Sequence, residues 1–469
     1  MHSNRMKLTF FDDYWIDFRP GTERRWFQPE LQCKPVSRLG YSSLVYDPVL
    51  QVYRIYYESS YDPNDERPRC LKMVESKDML HFTQVYNRDG SDVLFHGDGG
   101  VHGASVMYDP QEKDPKRRYK FCGVTRFTAE DTPRLVNLAF SEDGVHWENH
   151  PELVANPHNS DTLNKLCYNP CADEYMLFHR SAYVDRRIAL RTSKDLKNWS
   201  EPRILLHPSG VNSDDRFQNQ NYAMSAKWFD GIFYGLLWYY RTDLHNMDFT
   251  KMFGVSEVGL TYSYDGKEFL YTGCDRLMQR PMAPNPGWAG FAPCDMCESA
   301  DGKDYYLLVG GYCHAHGTHE SNKVLRVKIR EKGYSSALMV YKIRKDGFCG
   351  LESVCPGGLV ITKGVELLKD DLTFNLRADC GSVRFGLMDD KGEYLEGFHL
   401  EDSVPFEFDE AVAVRPVWKQ RKLSEALNQR VRIVLELNSA IVHSISATAR
   451  PYIRMPQVSF SDPTGIFKR

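Results

Sequence analysis

The sequence lacks any apolar run of about 18 residues, so nothing in it reads as a membrane-crossing helix. Its first twenty residues lack a continuous apolar core and carry Asp12, Asp13 and Asp17, which argues against a secretory signal. Little net charge is present: -4 over 469 residues, with no basic stripe of the kind nucleic acid or an anionic membrane attracts. Helical periodicity is nearly missing, and only Leu423 to Asn428 reads as helical. Cysteine is not scarce, at 12, but a chain of this length does not need covalent staples. Several cysteines, such as Cys122 and Cys167, sit in apolar stretches, as buried free thiols do. The expectation is a cytoplasmic protein with reduced thiols. Cys294 and Cys297, with Cys313, His314 and His316 downstream, have zinc-like spacing. On a strand, however, positions three apart face opposite sides, so neither metal nor cofactor is expected.

What is plentiful is aromatic residues, 13% of the chain, and they recur in a pattern. Five times an apolar stretch meets a polar turn and then an aromatic-rich stretch. The turn residues are Asp47, Asp109, Asn169, Asp230 and Asp301, at intervals of about 60 to 70 residues. The first three stand in Tyr-Asp-Pro or Tyr-Asn-Pro, and the last two precede glycine, a dipeptide that favours hairpins. A second motif is interleaved: Ser76-Lys77-Asp78 before Phe82, Ser141-Glu142-Asp143 before Trp147, Ser193-Lys194-Asp195 before Trp199, and Ser263-Tyr264-Asp265 before Phe269. Two hairpins per repeat make a four-stranded propeller blade, and five repeats predict a five-bladed β-propeller. Its first strands line the central funnel, while the Ser-x-Asp aromatics cover neighbouring blades.

Beyond residue 345 the pattern becomes strict alternation, in Leu372, Phe374, Leu376, in Val383, Phe385, Leu387, and in Val431, Ile433, Leu435, Leu437. Short alternating strands with polar turns predict a C-terminal β-sandwich. The expected organisation of this all-β chain is a lead-in over 1–36, the propeller over 37–345 and the sandwich over 346–469. The sandwich is expected to stabilise the propeller or shape a contact between copies in a homo-oligomer.

Propellers of this kind commonly act on sugars, and glycoside cleavage needs carboxyl groups flanking the bond. Carboxylates just ahead of an inner strand are the candidates. Asp161, in Asn159-Ser160-Asp161-Thr162-Leu163-Asn164, leads into apolar Leu166-Cys167-Tyr168 and is the first choice. Asp98 precedes the second inner strand, Asp215 the fourth, and Asp295 lies within the fifth, with Glu298 close by. His102 opens the second inner strand. Arg180 and Arg241 follow aromatic runs at the ends of second strands, where a guanidinium can hold a carboxylate, phosphate or hydroxyl. His316 closes the equivalent stretch of the fifth unit, and Trp288 lies on the loop entering it, placed to stack on a sugar.

With these residues in view, the chain resembles five-bladed propeller proteins related to glycoside hydrolase families 32 and 43, most of all a family-32-like branch. The resemblance rests on Asp12-Asp13-Tyr14-Trp15-Ile16-Asp17, His102-Gly103, Asp161-Thr162-Leu163-Asn164, Gly347-Phe348-Cys349-Gly350-Leu351 and Gly397-Phe398-His399-Leu400-Glu401-Asp402, in that order. It implies a glycosidase acting on a small carbohydrate. Three departures matter. The entry to the first blade, Ser37-Arg38-Leu39-Gly40-Tyr41, has no acidic residue where family 32 places its nucleophile. No Arg-Asp-Pro occurs, and Cys297-Glu298 reverses the family's Glu-Cys order. Hydrolysis with Asp161, Asp98, Asp215 and Asp295 as the carboxylates is the leading expectation. Phosphorolysis and sugar binding without catalysis are the alternatives.

Overall fold

A computed structural model describes residues 4–37, 40–62, 65–127, 133–181, 186–207, 219–242, 254–274, 276–316 and 323–451. The chain divides into two compact units, residues 28–345 and residues 3–27 with 346–469.

The first unit holds five four-stranded antiparallel sheets. Their inner strands are Ser42–Asp47, His102–Tyr108, Lys165–Asn169, Asn219–Trp228 and Phe291–Glu298. Each touches the next and the fifth returns to the first, so the ring closes as a five-bladed propeller. The turns form where the sequence placed them. Asp47 accepts from the amides of Val49 and Leu50 at 2.9 and 3.0 Å, which satisfies the bend locally. Asp230 and Gly231 both have positive φ, 44° and 110°, as a tight hairpin of this hand requires. The same turn residues also tie blades together. Tyr119 of blade two donates to Asp47, and Tyr175 of blade three donates to Asp109 at 2.6 Å.

The Ser-x-Asp motif is likewise a self-contained turn between third and fourth strands. Ser76 Oγ accepts from Met79 N at 2.9 Å, and Asp78 Oδ1 accepts from Leu80 N and His81 N, both at 2.9 Å. The aromatics that follow pack into the inter-blade cores: Phe82 with Leu44 and Tyr53, Trp147 with Tyr56 and Phe121, Phe269 with Phe178 and Phe233.

The lead-in expected over residues 1–36 is divided. Glu30–Val36 is the outermost strand of blade five, paired with Ala337–Arg344, so a strand from before the first blade completes the last. Arg5–Thr9, Ile16–Phe18 and Thr22–Trp26 belong to the second unit. A helix not expected from the sequence, Lys323–Glu331, precedes the last blade-five strand. Its β-branched residues favour a strand only weakly, and local propensity yields readily to context. The helical reading of Leu423 to Asn428 reduces to one 3-10 turn, Leu423–Ala426. Cys294 and Cys297 share a single apolar cluster, because a register shift between Pro293 and Asp295 offsets the alternation. All 12 cysteines are free thiols.

The second unit is a 12-stranded antiparallel sheet curled into the two leaves of a β-sandwich. One leaf centres on Ile441–Pro451 and the other on Arg430–Asn438, and Val365–Leu367 pairs with both. The alternating residues read from the sequence, among them Phe374, Phe385, Ile433 and Leu435, form its buried interior.

Candidate functional site

Antiparallel pairing brings the start of each inner strand beside the end of its neighbour. Tyr41 thus meets Glu58, whose amide donates to the Tyr41 carbonyl at 3.1 Å. At this end of the ring, side chains from all five blades are linked.

The entries to blades two and three interlock. Gly103 has φ 61°, and a Cβ there would fall 1.9 Å from the Thr162 carbonyl, so only glycine fits. Its carbonyl accepts from Asn164 N at 2.8 Å and Asn164 Nδ2 at 3.0 Å. Asn164 also donates to Thr162 O and accepts from Ser160 Oγ, at 2.8 and 3.0 Å. Two of the motifs that carried the resemblance, His102-Gly103 and Asp161-Thr162-Leu163-Asn164, are therefore one hydrogen-bonded unit, which presents Asp161.

Asp161 lies just ahead of its strand with a side chain 56% exposed, and its Oδ1 accepts from Arg180 Nη1 at 2.6 Å. Partial burial pushes its pKa up, but the charges of Arg180, Arg186 and Arg134 outweigh this and hold it below the ordinary aspartate value. Its backbone carbonyl is held by Tyr41 Oη at 3.3 Å and faces His102 Nε2 at 3.1 Å.

His102 is buried between the rings of Tyr41 and Phe127. Arg69 Nη1, which can only donate, lies 2.6 Å from His102 Nδ1. That partner assigns the proton to Nε2, aimed at the Asp161 carbonyl. Glu58 completes the cluster: Oε1 accepts from Ala104 N at 2.9 Å, and Oε2 lies 3.3 Å from His102 Nδ1 and 3.6 Å from Arg69 Nη1.

On the other flank, Arg180 lies over the Tyr222 ring at 4.5 Å, and Arg186 over Tyr222 and Tyr240 at 5.1 and 5.2 Å. Tyr222 stacks on Trp238 with centroids 4.4 Å apart, and Trp238 reaches Tyr41 and Tyr312. His316 lies between two phenols, 3.3 Å from Tyr222 Oη and 3.1 Å from Tyr240 Oη. Burial, with Tyr222 nearby, pushes the phenols of Tyr41 and Tyr312 well up, so both stay protonated donors. The ring thus offers an exposed ionised carboxylate, a set of arginines and an aromatic surface.

Of the residues singled out from the sequence, Asp161, His102, Arg180 and His316 are brought together here. Asp98 is exposed on the turn leading to His102, its amide held by the Thr125 carbonyl at 2.8 Å. Asp215 lies outside the described residues. Asp295 does not reach this end. It is fully enclosed, with Lys165 Nζ at 2.6 Å and Leu44 N at 3.0 Å on Oδ2, and Met296 N at 2.8 Å and Lys227 Nζ at 3.6 Å on Oδ1. That carboxylate is a structural tie among inner strands, with no oxygen left for a substrate. Glu298 is likewise engaged, by Lys345. Arg241 lies over Tyr239 at 5.6 Å, while Tyr240 beside it faces His316, as alternate strand residues must. Trp288 packs edge-on against Tyr334 at 5.9 Å instead of joining the aromatic surface.

Glu58, Arg69, Arg134, Arg186, Tyr222 and Trp238 were not anticipated. Glu58 had a signal: it follows Tyr56-Tyr57 at the same distance from Asp47 as Arg180 from Asn169. Glu58 lies after its turn, outside the strand entries where candidate carboxylates are expected.

No protein-family model matches the sequence, and no curated protein does. Solved structures similar to it are propeller-type carbohydrate enzymes. A glycosyl hydrolase from Bacteroides ovatus is 12% identical, covering 72% of this chain and 94% of its own, with a TM-score of 0.41. The Bacillus subtilis arabinanase Arb43A is 11% identical over 65% of this chain and 95% of its own, at 0.38. An N-acetylgalactosamine deacetylase from F. plautii is 10% identical over 69% and 96%, at 0.44. The class defined by the chain's own strand order is a five-bladed β-propeller with an appended β-sandwich. At these identities the likenesses assign no residue a role.

Proposed function

We propose that the protein cleaves the glycosidic bond of a small carbohydrate at the Asp161 end of the propeller. The observation that carries this reading is the state of Asp161: an exposed carboxylate, kept ionised by Arg180, within a ring of aromatic and polar side chains from five blades. An ionised carboxylate is suited to act as base or nucleophile and unsuited to give up a proton. Asp98, exposed on the turn before His102, is the second carboxyl group assigned to this reaction. Tyr41 and Tyr312, backed by Tyr222 and Trp238, offer the face on which a sugar ring stacks. His102, oriented by Arg69 and Glu58, holds the Asp161 peptide and acts as a positioning residue.

A phosphorolytic version of the same reaction is favoured by the gathering of Arg134, Arg180 and Arg186 around Asp161. The test is turnover of a panel of nitrophenyl glycosides and short oligosaccharides, with and without inorganic phosphate. Release of sugar independent of phosphate supports hydrolysis, and release of a sugar 1-phosphate supports phosphorolysis. Binding without turnover across the panel contradicts both.

A further inference from the structure

Charges at this end of the propeller are matched unevenly. Arg69 has Glu58 at 3.6 Å, and Arg180 has Asp161 at 2.6 Å. Arg186 donates to the Gln220 amide oxygen at 2.7 Å. Arg134 has no carboxylate and no side-chain hydrogen bond among the described residues. Its Nε is buried without an acceptor, and its guanidinium lies 4.4 Å from the Phe127 centroid.

Arg134 is nevertheless held firmly beside Asp161. Its amide donates to Asn159 Oδ1 at 3.0 Å, and its carbonyl accepts from Ser160 N at 3.1 Å. Those two bonds pin it to the segment that presents Asp161, and its charge is among those that keep Asp161 ionised. Phe127, on which it rests, also packs against His102 at 4.2 Å. The Phe127 ring gives this half-buried guanidinium a cation–π contact but no hydrogen-bond acceptor for its N–H donors.

We infer that Arg134 receives the carboxylate of an acidic sugar, so that the substrate of this site is a uronic-acid glycoside. The Arg134 guanidinium has no carboxylate among the described residues, and a sugar carboxylate supplies one. Its planar pair of oxygens also fits the edge of a guanidinium. The inference rests on the glycoside-cleaving reading and names the substrate class for it.

Calorimetric titration tests it without turnover. The wild-type protein, Arg134→Gln and Arg134→Lys are titrated with D-glucuronate, D-galacturonate, D-glucose, D-galactose and inorganic phosphate. One uronate is expected to bind about 10-fold or more tightly than its neutral counterpart. Arg134→Gln abolishes the preference, and Arg134→Lys, which keeps the charge but not the fork, restores part of it. Thermal melting checks that each variant is folded, and the wild-type comparison of uronate with neutral sugar stands even if one is not. Equal binding of acid and neutral sugars, binding of phosphate alone, no binding of either uronate, or an unchanged preference in Arg134→Gln would overturn the inference. Cleavage of neutral glycosides without uronate preference sinks this inference alone. Uronate binding with no cleavage of any glycoside sinks the earlier reading alone.

Discussion

Asn164 Nδ2 donates to the carbonyl of Gly103 at 3.0 Å, and this bond joins the entry of blade three to that of blade two. Asn164 is fully buried and makes three side-chain hydrogen bonds, so its loss strands several polar groups. Asn164→Ala should destabilise the protein by ~2–4 kcal/mol, read by denaturant unfolding. Gly103→Ala should cost ~3 kcal/mol or more, because the methyl meets a backbone carbonyl and φ is positive. A wild-type unfolding midpoint in either variant would contradict this junction.

Asp295 makes a separate prediction about stability. Asp295→Asn leaves the fully buried Lys165 without its counter-charge, at a cost of ~3–5 kcal/mol. Burial raises the Asp295 pKa, but Lys165 and Lys227 more than offset it, so the folded value lies below the unfolded one. Its contribution is therefore complete above the unfolded aspartate value of about 4 and is lost as pH falls through the folded value. Unfolding measured from neutral pH into acid should show a shallower loss of stability in Asp295→Asn than in the wild type. Parallel curves would refute the role.

What was legible in the sequence was local. The turn at Asp47 and the Ser76-x-Asp78 turn each satisfy their own backbone within four residues, so their residue types announce them. The alternation of Val431, Ile433, Leu435 and Leu437 announced the sandwich for the same reason. Long-range pairings were not legible. Glu30–Val36 looked like a lead-in because its partner strand, Ala337–Arg344, lies some 300 residues away in sequence. Asp295 looked available because Lys165, 130 residues earlier, carries no local mark as its partner. Asp161 and His102 were found as strand entries, yet the chain from Glu58 through His102 to the Asp161 carbonyl comes only from packing three blades together.

Acid sensitivity of turnover should follow Asp161. Because its arginine neighbours hold it below the ordinary value, the acidic limb of kcat/KM should fall at a pH below about 4. Arg180→Gln removes the principal opposing charge and should move that limb to higher pH. A limb unmoved by the substitution would detach the activity from this ion pair.

The most direct measurement is turnover by Asp161→Asn on a glycoside that the wild type is shown to cleave. The substitution keeps shape and removes both the charge and the ability to take a proton or form a glycosyl ester. If Asp161 is the base or nucleophile, kcat falls by ~10²-fold or more while the melting temperature stays within a few degrees of wild type. Near-normal turnover in the folded variant would contradict the account, since asparagine would serve equally well if Asp161 only shaped the loop.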